Sequence, residues 1–151
     1  MITIALINPQ IPQNTGNIAR LCAAWNCSLH LVGDIGFKLD DKHLKRAGLD
    51  YWPFVKLSIF ENTTQYVSEL NANTIHLLTT KSDRSYTQST YQKGDTLIFG
   101  SETHGLSNII RTQFSTQCIT IPMPNDNIRS LNLSTSVGIV LGEALRQISV
   151  V

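Results

Sequence analysis

The sequence predicts an α/β fold, with one domain over residues 1–151 built on a mostly parallel β-sheet flanked by helices. A chain of this length buries roughly 68–70% of its unfolded surface, which is enough for a substantial core. Its apolar runs are nearly continuous, as in strands buried on both faces of a parallel sheet. Helix-like segments alternate with these runs, and this alternation is typical of the α/β class. The predicted strands lie near residues 2–7, 28–33, 53–57, 74–79, 96–99 and 118–121.

Helices are expected between and after these strands. Asn14 or Thr15 can cap the first helix, which is expected to continue to about Cys27. Residues 40–46 place acids first and bases last, the order that a helix dipole favours, and Gly48 can end that helix. The remaining helices are predicted over residues 61–70, 107–114 and 132–148.

The last predicted helix carries a broad apolar face and two glycines, Gly138 and Gly142, on one side. A glycine inside a helix costs roughly 1 kcal/mol relative to alanine, so a close approach by another backbone is expected to compensate. That backbone can belong to the sheet of the same chain or to a second copy. We favour a second copy, and so a homodimer whose interface includes this helix.

Composition excludes several classes of protein. The chain is 42% hydrophobic and 15% charged, which fits a globular protein and not a disordered one. Its net charge of +1 is not that of a strongly basic nucleic-acid binder, although a local patch can still bind RNA. The N-terminus lacks the pattern of a signal peptide, and no apolar stretch approaches the ~20 residues of a membrane span. We therefore expect a cytoplasmic protein with no membrane partner.

Motifs for common cofactors and metals are missing from the sequence. There is no Walker phosphate loop, no G-x-G-x-x-G fingerprint, no H-E-x-x-H helix and no G-x-S-x-G elbow. The three cysteines, Cys22, Cys27 and Cys118, have no C-x-x-C spacing and are expected to be reduced and buried. No metal site is expected.

Three strand-like runs are followed by segments rich in Gly, Pro and Asn, at residues 8–20, 100–106 and 122–134. Ligands of open α/β sheets bind beyond the carboxyl ends of the strands. Three such loops can therefore build one site from distant parts of the chain.

These loops resemble the motifs of the SPOUT class of methyltransferases. The pattern N-P-x-I-P-x-N-x-G-x-x-x-R is at 8–20, strand-G-x-E-x-x-G at 100–105, and I-P-M followed by S-L-N-L-S at 121–134. The stretches 40–51 and 78–81 are similar to small tRNA 2′-O-methyltransferases that act on the wobble cytidine or uridine. The resemblance implies a C-terminal trefoil knot, S-adenosylmethionine as methyl donor, tRNA bound through its anticodon region, and a homodimer.

The resemblance also implies roles for individual residues. Arg20 is expected beside the target ribose as a positioning group, because an arginine is a poor proton acceptor. Glu102 is expected to act as general base or to pair with Arg20. With Ser130 and Asn132 these form the predicted catalytic set. The cofactor is expected against Leu78, Thr79, Gly100, Ile121, Met123, Ser130 and Leu131, and the RNA against Asn14, Lys42, Lys45 and Arg46.

The sequence thus predicts S-adenosylmethionine-dependent 2′-O-methylation of the wobble ribose in tRNA. Three alternatives remain open. One is a non-catalytic knotted protein that binds RNA or assists assembly, and another is a methyltransferase for a different RNA site. The third is a nucleotide-binding α/β module of another kind, against which the missing phosphate and dinucleotide fingerprints count.

Overall fold

Six parallel strands form one sheet in the computed structural model, which describes residues 1–40, 42, 44, 46 and 51–148. The strand order is β3-β2-β1-β5-β4-β6, and every recorded pairing is parallel. This arrangement confirms the predicted sheet. The strands are β1 (Thr3–Ile7), β2 (Ser28–Val32), β3 (Lys56–Phe60), β4 (Ile75–Leu78), β5 (Thr96–Phe99) and β6 (Cys118–Ile119).

Helices cover both faces of the sheet. Along β1, Ile4 and Leu6 pack in the cluster that includes residues of the first and last helices, whereas Ala5 and Ile7 pack with the other two. Successive residues of a strand point to opposite faces, so a strand covered on both sides reads as a continuous apolar run. The helices are α1 (Pro12–Ala24), α2 (Thr63–Ser68), α3 (Asn108–Gln113) and α4 (Leu133–Gln147). None of the helices described is long and apolar enough to cross a membrane.

The first helix begins earlier than predicted. It starts at Pro12, with Ile11 at the cap position, so the prediction that Asn14 or Thr15 caps it is wrong. Proline suits the first turn of a helix because the N–H that it lacks would have no partner there. Asn14 and Thr15 are instead buried within the helix.

The third strand lies three residues later than predicted, at Lys56–Phe60. Pro53 and Phe54, which were expected to begin it, belong to a turn of 3-10 helix over Trp52–Phe54. Pro53 favours this turn because its ring fixes φ near the helical value. Strand pairing with β2 begins only after that turn.

Only part of the predicted helix at 40–46 lies within the described residues. Lys42, Leu44 and Arg46 are helical, with Leu44 fully buried and the two basic residues exposed. Lys45 lies outside the described residues.

The two glycines of α4 face away from the sheet. A Cβ atom built on Gly138 or Gly142 meets nothing within 4 Å. Packing against the sheet of the same chain is therefore the wrong explanation for them. The residues that α4 buries are apolar: Leu133, Val137, Val140, Leu141, Ala144 and Leu145.

Candidate active site

A cavity of about 810 Å³ opens where β4, β5 and β6 end. Ligands of open α/β sheets bind beyond the carboxyl ends of the strands, and Ile11 and Asn14, from the segment after the neighbouring β1, extend the wall. The wall includes all seven residues predicted to hold the cofactor: Leu78, Thr79, Gly100, Ile121, Met123, Ser130 and Leu131. The sheet topology thus gathers residues that are as much as 53 positions apart in the sequence.

Gly100 allows the loop after β5 to fold tightly. A Cβ atom at this position would overlap the backbone of Gly105 and Leu106. Gly105 has φ +64°, a left-handed conformation that suits glycine, and its N–H donates to the carbonyl of Ser101. The close approach that requires Gly100 is therefore to the loop's own backbone.

Glu102 is held by the loop that follows β1. Its Oε2 accepts a hydrogen bond from the backbone N–H of Gln10 at 2.8 Å, and its Oε1 accepts from the N–H of Ile11 at 3.0 Å. The side-chain Nδ2 of Asn14 also donates to Oε1, at 3.2 Å. A carboxylate beside the first turn of α1 also suits the positive end of the helix dipole. Glu102 therefore supplies an anchor that α1 lacks in its own sequence.

A second set of hydrogen bonds continues from Asn14 to the start of α4. Asn132 donates through Nδ2 to Oδ1 of Asn14 at 2.9 Å. The Oδ1 of Asn132 accepts from the backbone N–H groups of Ser134 and Thr135, at 2.9 and 3.3 Å, and so caps α4. Glu102, Asn14 and Asn132 thus form a network that joins three loops, here called the three-loop network.

Arg20 lies apart from this network and is exposed. Its Nη2 donates to the hydroxyl of Tyr51 at 3.2 Å, and its guanidinium lies 4.7 Å from the centroid of the Tyr51 ring. Among the described residues, no ion pair joins Arg20 to Glu102, so that predicted pairing is wrong. Arg20 also does not line the cavity.

The other predicted RNA-binding residues fall into two groups. Asn14 lines the cavity, whereas the exposed Lys42 and Arg46 do not. The structure adds Lys81, His104 and Arg111 to the wall, which the sequence analysis did not assign to the site. Lys81 belongs to the stretch 78–81 that resembles small tRNA 2′-O-methyltransferases, and this resemblance could have identified it as a site residue. No comparable signal marked Arg111, which α3 brings to the cavity.

The cysteines take no part in the site. Cys22, Cys27 and Cys118 are buried free thiols, as predicted. Burial raises the pKa of each of them, so they are poor nucleophiles at neutral pH. Across the described part of the chain, no group of three or more His, Cys, Asp or Glu side chains is placed to hold a metal ion.

A protein-family model matches most of the chain. The model of the SpoU rRNA Methylase family matches residues 1–142. The chain belongs to this family. The family implies the trefoil knot that the sequence resemblance predicts.

Curated relatives and solved structures agree with this assignment. The tRNA (cytidine(34)-2′-O)-methyltransferase of Methylovorus glucosotrophus is 45% identical over 148 residues, which cover 97% of this chain and 96% of that protein. A solved structure described as giving structural insights into the 2-OH methylation of C/U34 on tRNA has a TM-score of 0.93. It is 38% identical, and the match covers 100% of this chain and 98% of that one.

A more distant structure shares the fold. The SpoU methyltransferase AviRb from Streptomyces viridochromogenes, in complex with the cofactor AdoMet, has a TM-score of 0.82 at 24% identity. The match covers 96% of this chain and 59% of that one.

Proposed function

We propose that this chain transfers a methyl group from S-adenosylmethionine to the 2′-oxygen of the wobble ribose, on cytidine or uridine, in tRNA. The observation that carries the proposal is the cavity beyond the carboxyl ends of β4, β5 and β6, whose wall is joined by the three-loop network. Family membership supports methyl transfer to RNA. The full-length similarity to tRNA (cytidine(34)-2′-O)-methyltransferases supports the wobble ribose as the target.

The cavity suits S-adenosylmethionine in size and chemistry. Small-molecule sites usually measure about 300–1,000 Å³ and combine an apolar wall with a few polar groups. Leu78, Ile121, Met123 and Leu131 supply apolar surface for an adenine ring. Loop backbone near Gly100 and Ser130 supplies polar groups for its edge. When bound, the cofactor supplies an electrophilic methyl group on its sulfonium, and the protein has to orient the acceptor towards it.

We assign Arg20 to the acceptor. Its exposed guanidinium lies outside the cavity wall, where an RNA backbone can approach it. A planar guanidinium can hold a phosphate through two N–H groups or stabilise negative charge as it develops on the ribose oxygen. Arg20 thus aligns the ribose, and the proton of the 2′-hydroxyl passes to solvent water and not to Arg20.

Glu102, Asn132 and Ser130 act from the cavity side. Both oxygens of Glu102 accept hydrogen bonds, from three N–H groups in all, which favours a positioning role over that of a general base. Asn132 anchors α4 against Asn14. Ser130, exposed in the wall two residues before Asn132, is placed to contact the ribose or the cofactor.

RNA binding is assigned to the basic segment before Tyr51. Lys42 and Arg46 are exposed on one helical segment, and Lys45 belongs to the same stretch of sequence. Positive side chains on one face neutralise phosphates, which gives affinity without sequence specificity. We propose that this face binds the anticodon region and that the protein works in the cytoplasm.

The outward glycines of α4 support a homodimer. Gly138 and Gly142 leave space that a second backbone can occupy. Gly142→Glu places a charge in that seam and should give monomer or insoluble protein in sedimentation. A soluble dimer with full activity would contradict this interface. Gln113→Glu, on the exposed side of α3, is the matched control.

Transfer of labelled methyl groups tests the proposed function. The protein is incubated with labelled S-adenosylmethionine and total tRNA from cells that lack it. Label should enter this tRNA, and much less should enter tRNA from cells that contain the protein, where the site is already methylated. No transfer in either case would favour the non-catalytic alternative.

Calorimetry tests cofactor binding separately. S-adenosylmethionine should bind equally well with and without a chelator, because we propose that no metal takes part. Loss of binding on chelation would contradict that part of the proposal.

A further inference from the structure

We infer that Tyr51 is a positioning residue that holds the Arg20 guanidinium in the orientation needed at the acceptor ribose. This inference rests on the proposed function, because it concerns how Arg20 performs its part. It assigns a role to an aromatic side chain that does not line the cavity.

Two contacts of different kinds join the residues. The Tyr51 hydroxyl accepts a hydrogen bond from Nη2 of Arg20 at 3.2 Å. The Arg20 guanidinium carbon also lies 4.7 Å from the centre of the Tyr51 ring, within the range of a cation–π contact. Together they restrain both the position and the tilt of the guanidinium.

Arg20 needs such a restraint because its side chain is long and exposed. An unrestrained arginine loses rotamer entropy when it binds its target. Only one of its five N–H groups is used by Tyr51 within the described structure, so the others remain available to a phosphate or an alkoxide. Tyr51 therefore restrains Arg20 without saturating it.

Tyr51 is itself fixed by the turn that follows it. Its carbonyl accepts from the N–H of Phe54 at 2.9 Å, and the carbonyl of Trp52 accepts from Val55 at 3.1 Å. The Trp52 side chain packs against the core cluster that contains Ile18 and Ala19 of α1. The turn and α1 therefore pack against the same core cluster. This shared packing fixes the Tyr51 side chain relative to Arg20.

The test compares Tyr51→Phe and Tyr51→Leu in single-turnover methyl transfer at saturating tRNA and cofactor. Phenylalanine keeps the ring and loses the hydroxyl, and leucine loses both contacts. We expect a rate about threefold lower for Tyr51→Phe and about tenfold lower for Tyr51→Leu. Dissociation constants for S-adenosylmethionine and tRNA should stay within about twofold.

A double-mutant cycle separates positioning from structural damage. In the Arg20→Ala background, Tyr51→Leu should have no further effect on the rate, because the group that it positions is gone. A further loss of the same size in that background would overturn the inference. Phe54→Leu, the same kind of change on the same turn, is the matched control and should leave the rate unchanged. An equal loss in Phe54→Leu would assign the effect to the turn and overturn the inference as well.

The wild-type protein keeps the two proposals distinguishable. If it transfers no methyl group to tRNA, the proposed function fails. If it does so and Tyr51→Leu turns over at the wild-type rate, the role of Tyr51 alone is refuted.

Discussion

The three-loop network and the Arg20–Tyr51 pair both contribute polar groups, but they differ in how those groups are held. In the network, each oxygen of Glu102 accepts at least one N–H, and Asn14 is 6% exposed. In the pair, Arg20 is exposed and Tyr51 is 37% exposed, and two contacts join them. The polar groups of the network bond to one another, whereas among the described residues Arg20 keeps N–H groups available for a ligand.

This difference assigns the two regions to different parts of the reaction. A carboxylate whose oxygens are already bonded fixes geometry, because a proton or ligand would have to displace those bonds. A guanidinium with spare donors can bind a phosphate or stabilise new charge. We therefore expect changes in the network to impair folding and cofactor binding, and changes at Arg20 to impair the transfer step.

Arg20→Ala should have the largest effect on rate. Loss of charge stabilisation at the acceptor should lower the single-turnover rate at saturating tRNA by about a hundredfold or more. Cofactor affinity, measured by calorimetry, should stay within a few-fold. The Arg20→Lys variant should also have a low single-turnover rate because lysine lacks the planar guanidinium group. Near-normal turnover in the alanine variant would remove Arg20 from the mechanism.

Glu102→Ala should have the largest effect on stability. It leaves the N–H groups of Gln10 and Ile11 and the amide of Asn14 without their acceptor. We expect the free energy of unfolding to fall by about 2 kcal/mol and cofactor affinity to fall by about tenfold. Denaturant unfolding and calorimetry measure these effects. Glu61→Ala, which removes an exposed carboxylate before α2, is the control. A stable Glu102→Ala protein with normal cofactor affinity and a collapsed rate would reassign Glu102 to catalysis.

The double variant Lys42→Ala/Arg46→Ala should weaken tRNA binding more moderately. Each lost phosphate contact should lower the slope of log affinity against log salt by roughly one unit, whatever the tRNA sequence. Lys56→Ala/Lys93→Ala is the matched control, since Lys56 begins β3 and Lys93 precedes β5, at the amino ends of the strands and away from the cavity. An unchanged slope would mean that Lys42 and Arg46 only face solvent.

Glu143→Gln should have the smallest effect of these changes. Its effect on stability contrasts with that of Glu102→Ala. Hydrogen bonds from Arg146 and then Gln147 lower the pKa of Glu143 to about 2. Because the pKa is lowered on folding, this stabilisation is present above about pH 4.5 and is lost as the pH falls towards 2. Water screens the pair, so the variant should lose far less stability than Glu102→Ala. Unfolding curves between pH 7 and pH 3 test this prediction. A loss of unfolding free energy as large as that of Glu102→Ala would contradict it.

The sequence predicted the fold and the cavity wall well, for a physical reason. Strands buried on both faces are continuous apolar runs, and their carboxyl ends meet at one edge, so the loops that follow them were expected to share one site, whereas the individual wall residues, such as Gly100 and Ile121, were implied by the family resemblance. The start of α1 was mispredicted because its anchor, Glu102, is 91 residues away from Ile11. The partnership of Arg20 with Tyr51 is equally non-local, since these residues are 31 apart. Local patterns cannot show contacts of this kind.

Identification of the methylated atom in tRNA is the most direct test of the central claim. Label transferred by the wild-type protein is followed through alkaline hydrolysis, which requires a free 2′-hydroxyl to cleave the adjacent phosphodiester. We expect the label in an alkali-resistant dinucleotide whose first residue is the wobble cytidine or uridine. Label released on a single mononucleotide, or found at another position of the tRNA, would contradict the account.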